Sequence, residues 1–404
     1  MAKRKKKIKV HSLTGRIDDR LMREAFKAVK RNRGAAGIDK VSIAMFEENL
    51  DANLDALQRD LKTRGKFVPK PLRRVWIPKD AKGKKLRPLG PATINTGAVR
   101  DRVAQEVVRR LLEPIFEPLF HDCSFGFRPG RSCHMAIERV LSFHQDGDRV
   151  TLDADIAGFF DNIPHKLIVD AVAEEVADGN ILNLVKKFLA AGVMDNGVFK
   201  PTSIGTPQGG VVSPLLANIV LNKLDWRLDQ AGYRFVRYAD DFVVVCKDRK
   251  QAEAALTMVE EVMTELGLSL SPEKTKIASY GKGYEFLGFR LSSKSRTMRP
   301  KSLEKFKTKV LEITRRCNNL DANVIVKLNQ VIRGTANYFA TDFSTCIKLY
   351  QKLDKWIRMR VRCMKFKRKL SYDNYRMRQG MFDKKLGLLK MLDFTATTMG
   401  ESLT

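Results

Sequence analysis

The sequence lacks the features that mark membrane and secreted proteins. No apolar run reaches the about 18 residues that a membrane-crossing helix needs, and the basic start MAKRKKKIKV has no apolar segment typical of a signal peptide. The six cysteines include no CxxC pair, which argues against a disulfide framework or a zinc ribbon. Proline- or glycine-rich tracts and internal repeats are absent too. These absences predict a globular, cytoplasmic protein with no membrane partner.

Acidic residues are scarce relative to basic ones. The 404 residues include 75 Lys and Arg but 46 Asp and Glu, which gives a formal net charge of +29. The imbalance is greatest between residues 294 and 390, where 26 basic residues face 7 acidic ones and the net charge is +19. So much like charge favours binding to a polyanion, and we therefore expect nucleic acid as a partner.

Hydrophobic periodicity predicts a mixed α and β region followed by a helical one. Residues 72 to 90 alternate like two strands around the turn-forming KDAKGKK, and residues 234 to 246 have the pattern of a second hairpin. Helices are expected at about 166 to 191 and 211 to 230. After about residue 295, helical patterns dominate and strand signals are few. The change in both charge and periodicity at that point indicates a separate, basic helical domain.

Two pairs of carboxylates lie on predicted strands. In RVTLDADIAGFF, Asp153 and Asp155 share one face of a strand whose other face is apolar. In RFVRYADDFVVV, Asp240 and Asp241 lie at the tip of a hairpin that is apolar on both faces. Neighbouring like charges in a partly desolvated place cost several kcal/mol unless a cation compensates them. Carboxylate oxygens suit Mg²⁺, and two such ions about 4 Å apart catalyse nucleotidyl transfer.

These segments and several others, in the same order, resemble the motifs of group II intron-encoded reverse transcriptases. RYADDFVVV is similar to their YxDD box, DADIAGFFDNIPH to their first catalytic strand, and GTPQGGVVSPLLANIVLNKLD to their template-and-nucleotide helix. GLSLSPEKTK and FLGF resemble the two motifs that follow, while GAAGID and SFGFRPGRS resemble the extra N-terminal blocks. VIRGTANYF resembles the maturase-type thumb, called domain X. The resemblance covers about residues 30 to 385.

The resemblance implies an α+β fold, a right-hand polymerase whose fingers and palm contain antiparallel sheet, followed by an all-helical thumb. The implied limits are a basic N-terminal extension and first fingers block at 1–70, fingers and palm at 71–290, thumb at 295–385 and a short tail at 386–404. No Cys/His-rich HNH nuclease module follows the thumb, so we expect a form that lacks this module. The link PATINTGAV, at 91–99, is several residues longer than the family's usual IPT-type link, and its role is open.

The resemblance also implies the residues of the active site. Asp155, Asp240 and Asp241 would bind two Mg²⁺ ions, with Asp153 a competitor for the first role. Asp155 is favoured because an aromatic residue that excludes the 2′-hydroxyl is expected five residues later, and Phe160 lies there. The other implied contacts are to the nucleotide (Lys79, Arg87, Gln208, Lys274) and to the primer (Phe286, Leu287, Gly288, Phe289). Core packing is the alternative for Phe160 and the FLGF phenylalanines, and an ordinary surface position for Lys274.

One thumb segment, LYQKLDKWIRMRVRCMKFKRKL at 349–370, has an apolar stripe at helical spacing and basic residues on its other faces. The stripe consists of Tyr350, Leu353, Ile357, Val361 and Met364. We expect Arg358, Arg362 and Lys365 to bind phosphates on the opposite side.

The resemblance implies an RNA template, a DNA primer, dNTPs and a structured intron RNA as partners, in the bacterial cytosol or nucleoid. Two alternatives remain at this point. The chain could be a domesticated relative in host defence or DNA repair, or a splicing factor whose polymerase activity is dispensable. The intact Asp155, Asp240 and Asp241 argue against the second of these. The sequence does not indicate an oligomeric state.

Overall fold

The computed structural model describes residues 9–73, 75–78, 86–89, 97–195, 198–206 and 210–395. Of the predicted site residues, Lys79 and Gln208 lie outside these ranges, and only the backbone is described at Arg87. The described residues divide into two compact units. The first extends to Ala136 and also contains Ala154–Val245 and Lys250–Lys276. The second contains Ile137–Asp153, Cys246–Arg249 and the residues from Ile277 onward.

Helices are more abundant than strands in the described chain. They are α1 (Asp19–Arg31), α2 (Ile43–Glu48), α3 (Leu50–Lys62), α4 (Val99–Phe116), α5 (Cys133–Gln145), α6 (Phe159–Asn162), α7 (His165–Ala173), α8 (Gly179–Leu189), α9 (Ser213–Gln230), α10 (Arg249–Glu265), α11 (Pro300–Ile313), α12 (Ala322–Phe339), α13 (Ile347–Lys365) and α14 (Asp373–Arg376). The strands are β1 (Leu72–Arg73), β2 (Val75–Pro78), β3 (Leu86–Leu89), β4 (Val150–Asp155), β5 (Val193–Asp195), β6 (Val198–Lys200), β7 (Arg234–Tyr238), β8 (Asp241–Cys246), β9 (Lys276–Ser279), β10 (Tyr284–Phe286), β11 (Phe289–Leu291) and β12 (Arg296–Met298).

Four sheets are formed by the strands of the described ranges. The largest has the order β7–β8–β4–β9, and the three smaller ones have the orders β1–β5–β6, β2–β3 and β10–β11–β12. The antiparallel pairing of β2 with β3 confirms the strand pair predicted within 72 to 90. The hairpin predicted at 234 to 246 is also confirmed, because β7 pairs antiparallel with β8 from Arg234↔Val245 to Tyr238↔Asp241.

The helix α9 is central to the first unit. Its sequence is apolar on nearly every face, and most of its residues are buried, as expected for a helix surrounded by other elements. Among its buried polar residues, Asn218 is 1% exposed and Asp225 is fully buried. Buried polar groups need hydrogen-bond partners within the chain, so these two side chains identify a polar contact in an otherwise apolar core.

One predicted helix is divided in two. The pattern over 166 to 191 indicated a single helix, but the structure has α7 and α8 with a break between them. Asp178 caps the second helix, because its carboxylate accepts hydrogen bonds from the amides of Asn180 (3.0 Å) and Ile181 (3.2 Å). An N-cap of this kind starts a new helix. The prediction of one continuous helix was therefore wrong.

The last part of the second unit is helical. From Pro300 onward, the described residues form helices and no strand, as the sequence predicted. All five members of the predicted apolar stripe on α13 are buried, with at most 2% exposure. On the same helix Asp354 is 4% exposed, and its carboxylate accepts a hydrogen bond from the amide of Met391 (2.9 Å). Across the described ranges, no helix is both long enough and apolar enough to span a bilayer.

Candidate active site

The hairpin of β7 and β8 carries the predicted Asp240 and Asp241 at its tip. Their flanks are buried, since Phe235, Val236 and Phe242 are each at most 1% exposed. Tyr238↔Asp241 is the last pair of the ladder, so Ala239 and Asp240 form a two-residue turn. Two adjacent carboxylates therefore lie at the tip of a hairpin whose flanking apolar side chains are buried.

The turn is strained at Ala239, whose φ is +59°. Asp240 is not among the residues with positive φ, so only the first central residue of the turn is left-handed. This is the pattern of a type II′ hairpin turn, in which that position normally takes Gly. A side chain in this region costs about 1–3 kcal/mol and persists only where surrounding contacts fix it.

Asp155 lies at the same end of the sheet as this turn. The amide of Arg149 donates to the carbonyl of Cys246 (2.9 Å), which makes the neighbouring strands β4 and β8 antiparallel. The residue six positions after Arg149 is Asp155, and the residue six positions before Cys246 is Asp240. In an unbroken antiparallel register these two residues lie opposite each other. The fold thus brings together the two carboxylate segments that are 85 residues apart in the sequence.

The segment GLSLSPEKTK runs beside Asp155. The amide of Ser271 donates to the Asp155 carbonyl (2.7 Å), and the amide of Ala157 donates to the Ser269 carbonyl (2.9 Å). This pairing brings Lys274 to the site, where its Nζ donates to Oδ2 of Asp155 (2.6 Å). The Lys274 side chain is 65% exposed and that of Asp155 is 28% exposed. Lys274 therefore contacts one of the predicted metal ligands and also remains open to solvent.

Phe160 lies five residues after Asp155, next to the chain that leads into TPQGG. It lies on the short helix α6, half-buried, with its ring 5.2 Å from the buried Phe159 ring in an edge-to-face arrangement. The amide of Thr206 donates to the Phe160 carbonyl (2.6 Å), and Gly205 packs so closely on this backbone that a Cβ would lie 2.9 Å from the same oxygen. The chain leading into TPQGG is thus anchored beside Phe160, although Gln208 itself lies outside the described residues.

Arg237, on β7, was not among the predicted site residues. This side chain is fully buried and forms a bidentate ion pair with Asp225 of α9, from Nε to Oδ1 (2.8 Å) and from Nη2 to Oδ2 (2.6 Å). Its Nη1 also donates to the carbonyl of Ala239 (2.9 Å), at the strained position of the turn. An available signal was the charge itself, because an arginine within an apolar strand requires a buried partner.

The FLGF segment forms a tight turn in the second unit. Phe286 and Phe289 pair across β10 and β11 and are buried, which fits core packing. Leu287 and Gly288 make the turn between them, both with positive φ (+45° and +86°). Tyr338 of the VIRGTANYF motif donates its hydroxyl to the Leu287 carbonyl (2.7 Å), so the two motifs are joined.

The predicted phosphate-binding residues of α13 differ in their surroundings. Lys365 is exposed, whereas Arg358 and Arg362 are half-buried. Arg362 donates from Nε to the carbonyl of Met377 (2.9 Å), and its guanidinium lies 4.9 Å from the centre of the Phe382 ring. Burial lowers the pKa of Arg362 from its usual value. Arg362 is therefore used within the chain more than the other two.

The side chains that could hold a metal are the three aspartates at the edge of the large sheet. Their carboxylates are the hard oxygen ligands that Mg²⁺ prefers, and their location at one sheet edge fits a shared site. In the described part of the chain, however, no group of three His, Cys, Asp or Glu side chains has a metal-binding arrangement. Asp155 is instead paired with Lys274.

Two protein-family models match the chain. Residues 77–291, more than half of the chain, match the model of the reverse transcriptase (RNA-dependent DNA polymerase) family. The chain belongs to the reverse transcriptase family. Residues 303–379 match a second model, the group II intron maturase-specific domain. The predicted family, the α+β polymerase fold with a helical C-terminal region and the enzyme class are thereby confirmed.

Individual relatives agree with this assignment. Protein YkfC from Escherichia coli K12 is 36% identical over 312 residues, which cover 67% of this chain and 80% of YkfC. The group II intron-encoded protein LtrA from Lactococcus lactis subsp. cremoris is 38% identical over 216 residues, or 53% of this chain and 34% of LtrA. An uncharacterized 91 kDa protein in the cob intron of Schizosaccharomyces pombe is 31% identical over 299 residues, or 59% of this chain and 36% of that protein. The chain spans about a third of the length of these last two relatives.

Proposed function

We propose that this reverse transcriptase extends a primer 3′-hydroxyl with dNTPs on an RNA template, as a group II intron-type RNA-directed DNA polymerase. The observation that carries the proposal is the juxtaposition of Asp155 with Asp240 and Asp241 at one end of adjacent antiparallel strands. Three acidic side chains at one end of a sheet are suited to two-metal chemistry, of which nucleotidyl transfer is one case, and the reverse transcriptase family match favours that reaction.

Asp155, Asp240 and Asp241 would hold two Mg²⁺ ions. When bound, such ions lower the pKa of an attacking 3′-hydroxyl and stabilise the leaving pyrophosphate. The chain's own contribution is to fix Asp155 on β4, Asp241 on β8 and Asp240 in the turn before β8, so that little reorganisation is needed at the moment of reaction. The Nζ of Lys274 donates to Oδ2 of Asp155 and therefore lies beside a proposed metal ligand. We assign Lys274 to the nucleotide site, where it would contact the phosphates of the dNTP.

Selection and binding of the nucleotide would depend on residues around Phe160. Its ring would lie under the sugar and exclude a 2′-hydroxyl, and the contact of Thr206 with the Phe160 backbone supports a shared pocket with Gln208. Lys79 and Arg87 would bind the triphosphate, for which the fork of Arg and the point charge of Lys are suited. The Leu287–Gly288 turn between Phe286 and Phe289 would contact the primer.

We further propose that the second unit binds intron RNA as a maturase. Its match to the maturase-specific domain supports this role, as does a basic segment after α13 with two exposed tyrosines. Tyr372 is 65% exposed and Tyr375 is 73% exposed, with ring centres 6.3 Å apart. Aromatic side chains among cations are suited to stacking on single-stranded bases. Roles in host defence or DNA repair, or in splicing without polymerase activity, are less favoured.

Primer extension tests the polymerase proposal directly. The wild-type chain, an RNA template, an annealed DNA primer, dNTPs and Mg²⁺ should yield full-length complementary DNA. Asp155→Asn keeps the side chain's shape but removes its charge, so extension should fall by about 10³-fold or more. Asp146→Asn, at an exposed position after α5, is the matched control and should leave extension unchanged. No extension by the wild-type chain on any RNA template would contradict the proposal.

A further inference from the structure

We propose that Arg237 is a positioning residue that holds the catalytic turn in the strained conformation from which Asp240 and Asp241 act. This inference rests on the proposed polymerase function. Its basis is that Arg237 connects the turn to two other segments of the first unit, α9 and the SFGF segment (Ser124–Phe127). The reverse transcriptase resemblance assigned no role to either contact.

Every hydrogen-bond donor of Arg237 is used. A guanidinium side chain has five N–H groups, and the structure gives five contacts: two to Asp225, one to Oδ1 of Asn218 (2.8 Å), one to Oγ of Ser124 (2.8 Å) and one to the Ala239 carbonyl. Arg237 and Asp225 are both fully buried. A fully satisfied network of this kind has one low-energy arrangement, so it specifies the position of the turn that it contacts.

The SFGF segment supports the turn from the other side. The amide of Phe125 donates to the Arg237 carbonyl (2.8 Å), and the Arg237 amide donates to the Cys123 carbonyl (2.9 Å). Gly126 then lies against the turn, where an added Cβ would be 2.2 Å from the Ala239 amide nitrogen. Asn218 joins the two supports, because its Nδ2 donates to the Gly126 carbonyl (2.8 Å) while its Oδ1 accepts from Arg237.

Stability alone is a weak explanation for this ion pair. Replacing a buried ion pair by apolar residues of similar volume is often neutral or stabilising for a fold. The contact to the Ala239 carbonyl is different, since it fixes a residue whose left-handed φ is unfavourable. A structural role and a positioning role therefore predict different behaviour for a folded protein that lacks the pair.

The double variant Arg237→Met with Asp225→Leu separates the two roles. We expect it to fold with a lower melting temperature than the wild type, because Asn218, Ser124 and the Ala239 carbonyl lose the donors of Arg237. In the folded protein, kcat for RNA-templated extension should fall by about 100-fold, as for a misplacement of about 1 Å. KM for the primer–template should stay the same, because no binding residue is changed. A folded double variant with wild-type kcat would falsify the inference.

A second readout does not depend on turnover. Fe²⁺ in place of Mg²⁺, with ascorbate and peroxide, cleaves the backbone close to bound metal. In the wild-type chain we expect cleavage near residues 155 and 240, and in the folded double variant we expect the cleavage near 240 to be lost or moved. An unchanged pattern would mean that the turn keeps its position without Arg237.

Gly126→Ala provides a test that leaves the ion pair in place. Gly126 has no positive φ, so alanine is allowed there and only the space beside Ala239 is lacking. We expect kcat to fall by about tenfold or more, because the turn must move. Gly179→Ala is the control, since an added Cβ there meets nothing within 4 Å.

The outcomes are separable. If the wild-type chain does not extend any primer, the proposed function fails. If the wild type extends and neither Gly126→Ala nor a folded double variant loses activity, the inference about Arg237 fails while the function stands. If the double variant does not fold, wild-type activity of Gly126→Ala overturns the inference and a selective loss of its kcat supports it.

Discussion

Positive charge is buried and paired within the chain at Arg237 of the β7–β8 hairpin, whereas along α13 and the segment after it most of the charge faces solvent. Arg237 has no exposed surface and uses all of its donors on neighbours in the first unit. In the second unit, Lys355, Lys365 and Lys369 are exposed on or just after a helix whose apolar stripe is buried.

The difference separates two uses of the same chemistry. A buried guanidinium interacts in a low dielectric, so it can fix the backbone that it contacts. Exposed lysines and arginines are hydrated and move, so each contributes little to stability but can neutralise a phosphate. We therefore expect charge in the first region to hold the turn of the candidate active site, and charge in the second to contact nucleic acid.

The largest expected effect is on stability, and it tests the comparison itself. Asp225→Asn removes the charge that compensates Arg237 and should lower the free energy of unfolding by about 3–5 kcal/mol. The carboxylate of Asp122 is 87% exposed and forms an ion pair with Arg131. Asp122→Asn removes this surface pair and should lower the free energy of unfolding by no more than about 1 kcal/mol. Chemical denaturation of both variants measures this; equal losses would contradict the distinction.

The next effect concerns sugar selection at Phe160. Phe160→Val should open space under the sugar and raise the use of ribonucleotides relative to deoxynucleotides by about 30- to 150-fold, or roughly 2–3 kcal/mol. Phe160→Tyr keeps the ring and should leave the ratio near its wild-type value. Single-nucleotide incorporation with each substrate gives the ratio. If valine does not change it, Phe160 serves only in packing.

A smaller effect is expected on the exposed helix. Replacing Arg358 and Lys365 with Gln should flatten the dependence of log K on log salt by about 1.5, because each phosphate contact contributes about 0.7 to 0.9. RNA affinity and processivity should fall, while addition of one nucleotide at saturating primer–template is retained.

Arg362→Gln is the matched control on α13. It removes the same charge from the same helix, but the side chain already donates to Met377 and lies over Phe382. We expect Arg362→Gln to lower the free energy of unfolding. It should change the slope of log K against log salt by less than the substitution of Arg358 or of Lys365 does. A slope change equal to that of Lys365→Gln would show that Arg362 also contacts phosphate.

Local patterns predicted the parts of the fold that depend on sequence neighbours. Alternation predicted the 234–246 hairpin, and helical spacing predicted the buried stripe on α13, because both depend on which face of one element is apolar. The divided helix was missed although Asp178, its N-cap, is visible in the sequence. The alanines and glutamates around it favour helix, and this propensity outweighed the cap signal.

The contacts that organise the active site could not be predicted in the same way. Arg237 is 12 residues from Asp225 and 113 from Ser124, and Lys274 is 119 residues from Asp155. Such partners are chosen by the packing of strands against α9 and by the turn, and no single periodicity encodes them. The sequence motifs predicted the aspartates as metal ligands, but the contacts of Arg237 with their turn became apparent only from the tertiary structure.

The most direct test of the account is to measure RNA binding and primer extension together for Asp240→Asn. We expect the variant to bind primer–template with wild-type affinity and salt dependence, because its nucleic-acid contacts are unchanged. Extension on RNA should fall by about 10³-fold or more, since the carboxylate at the hairpin tip is lost. Extension at the wild-type rate with Mg²⁺ would contradict the assignment of this hairpin as the catalytic centre.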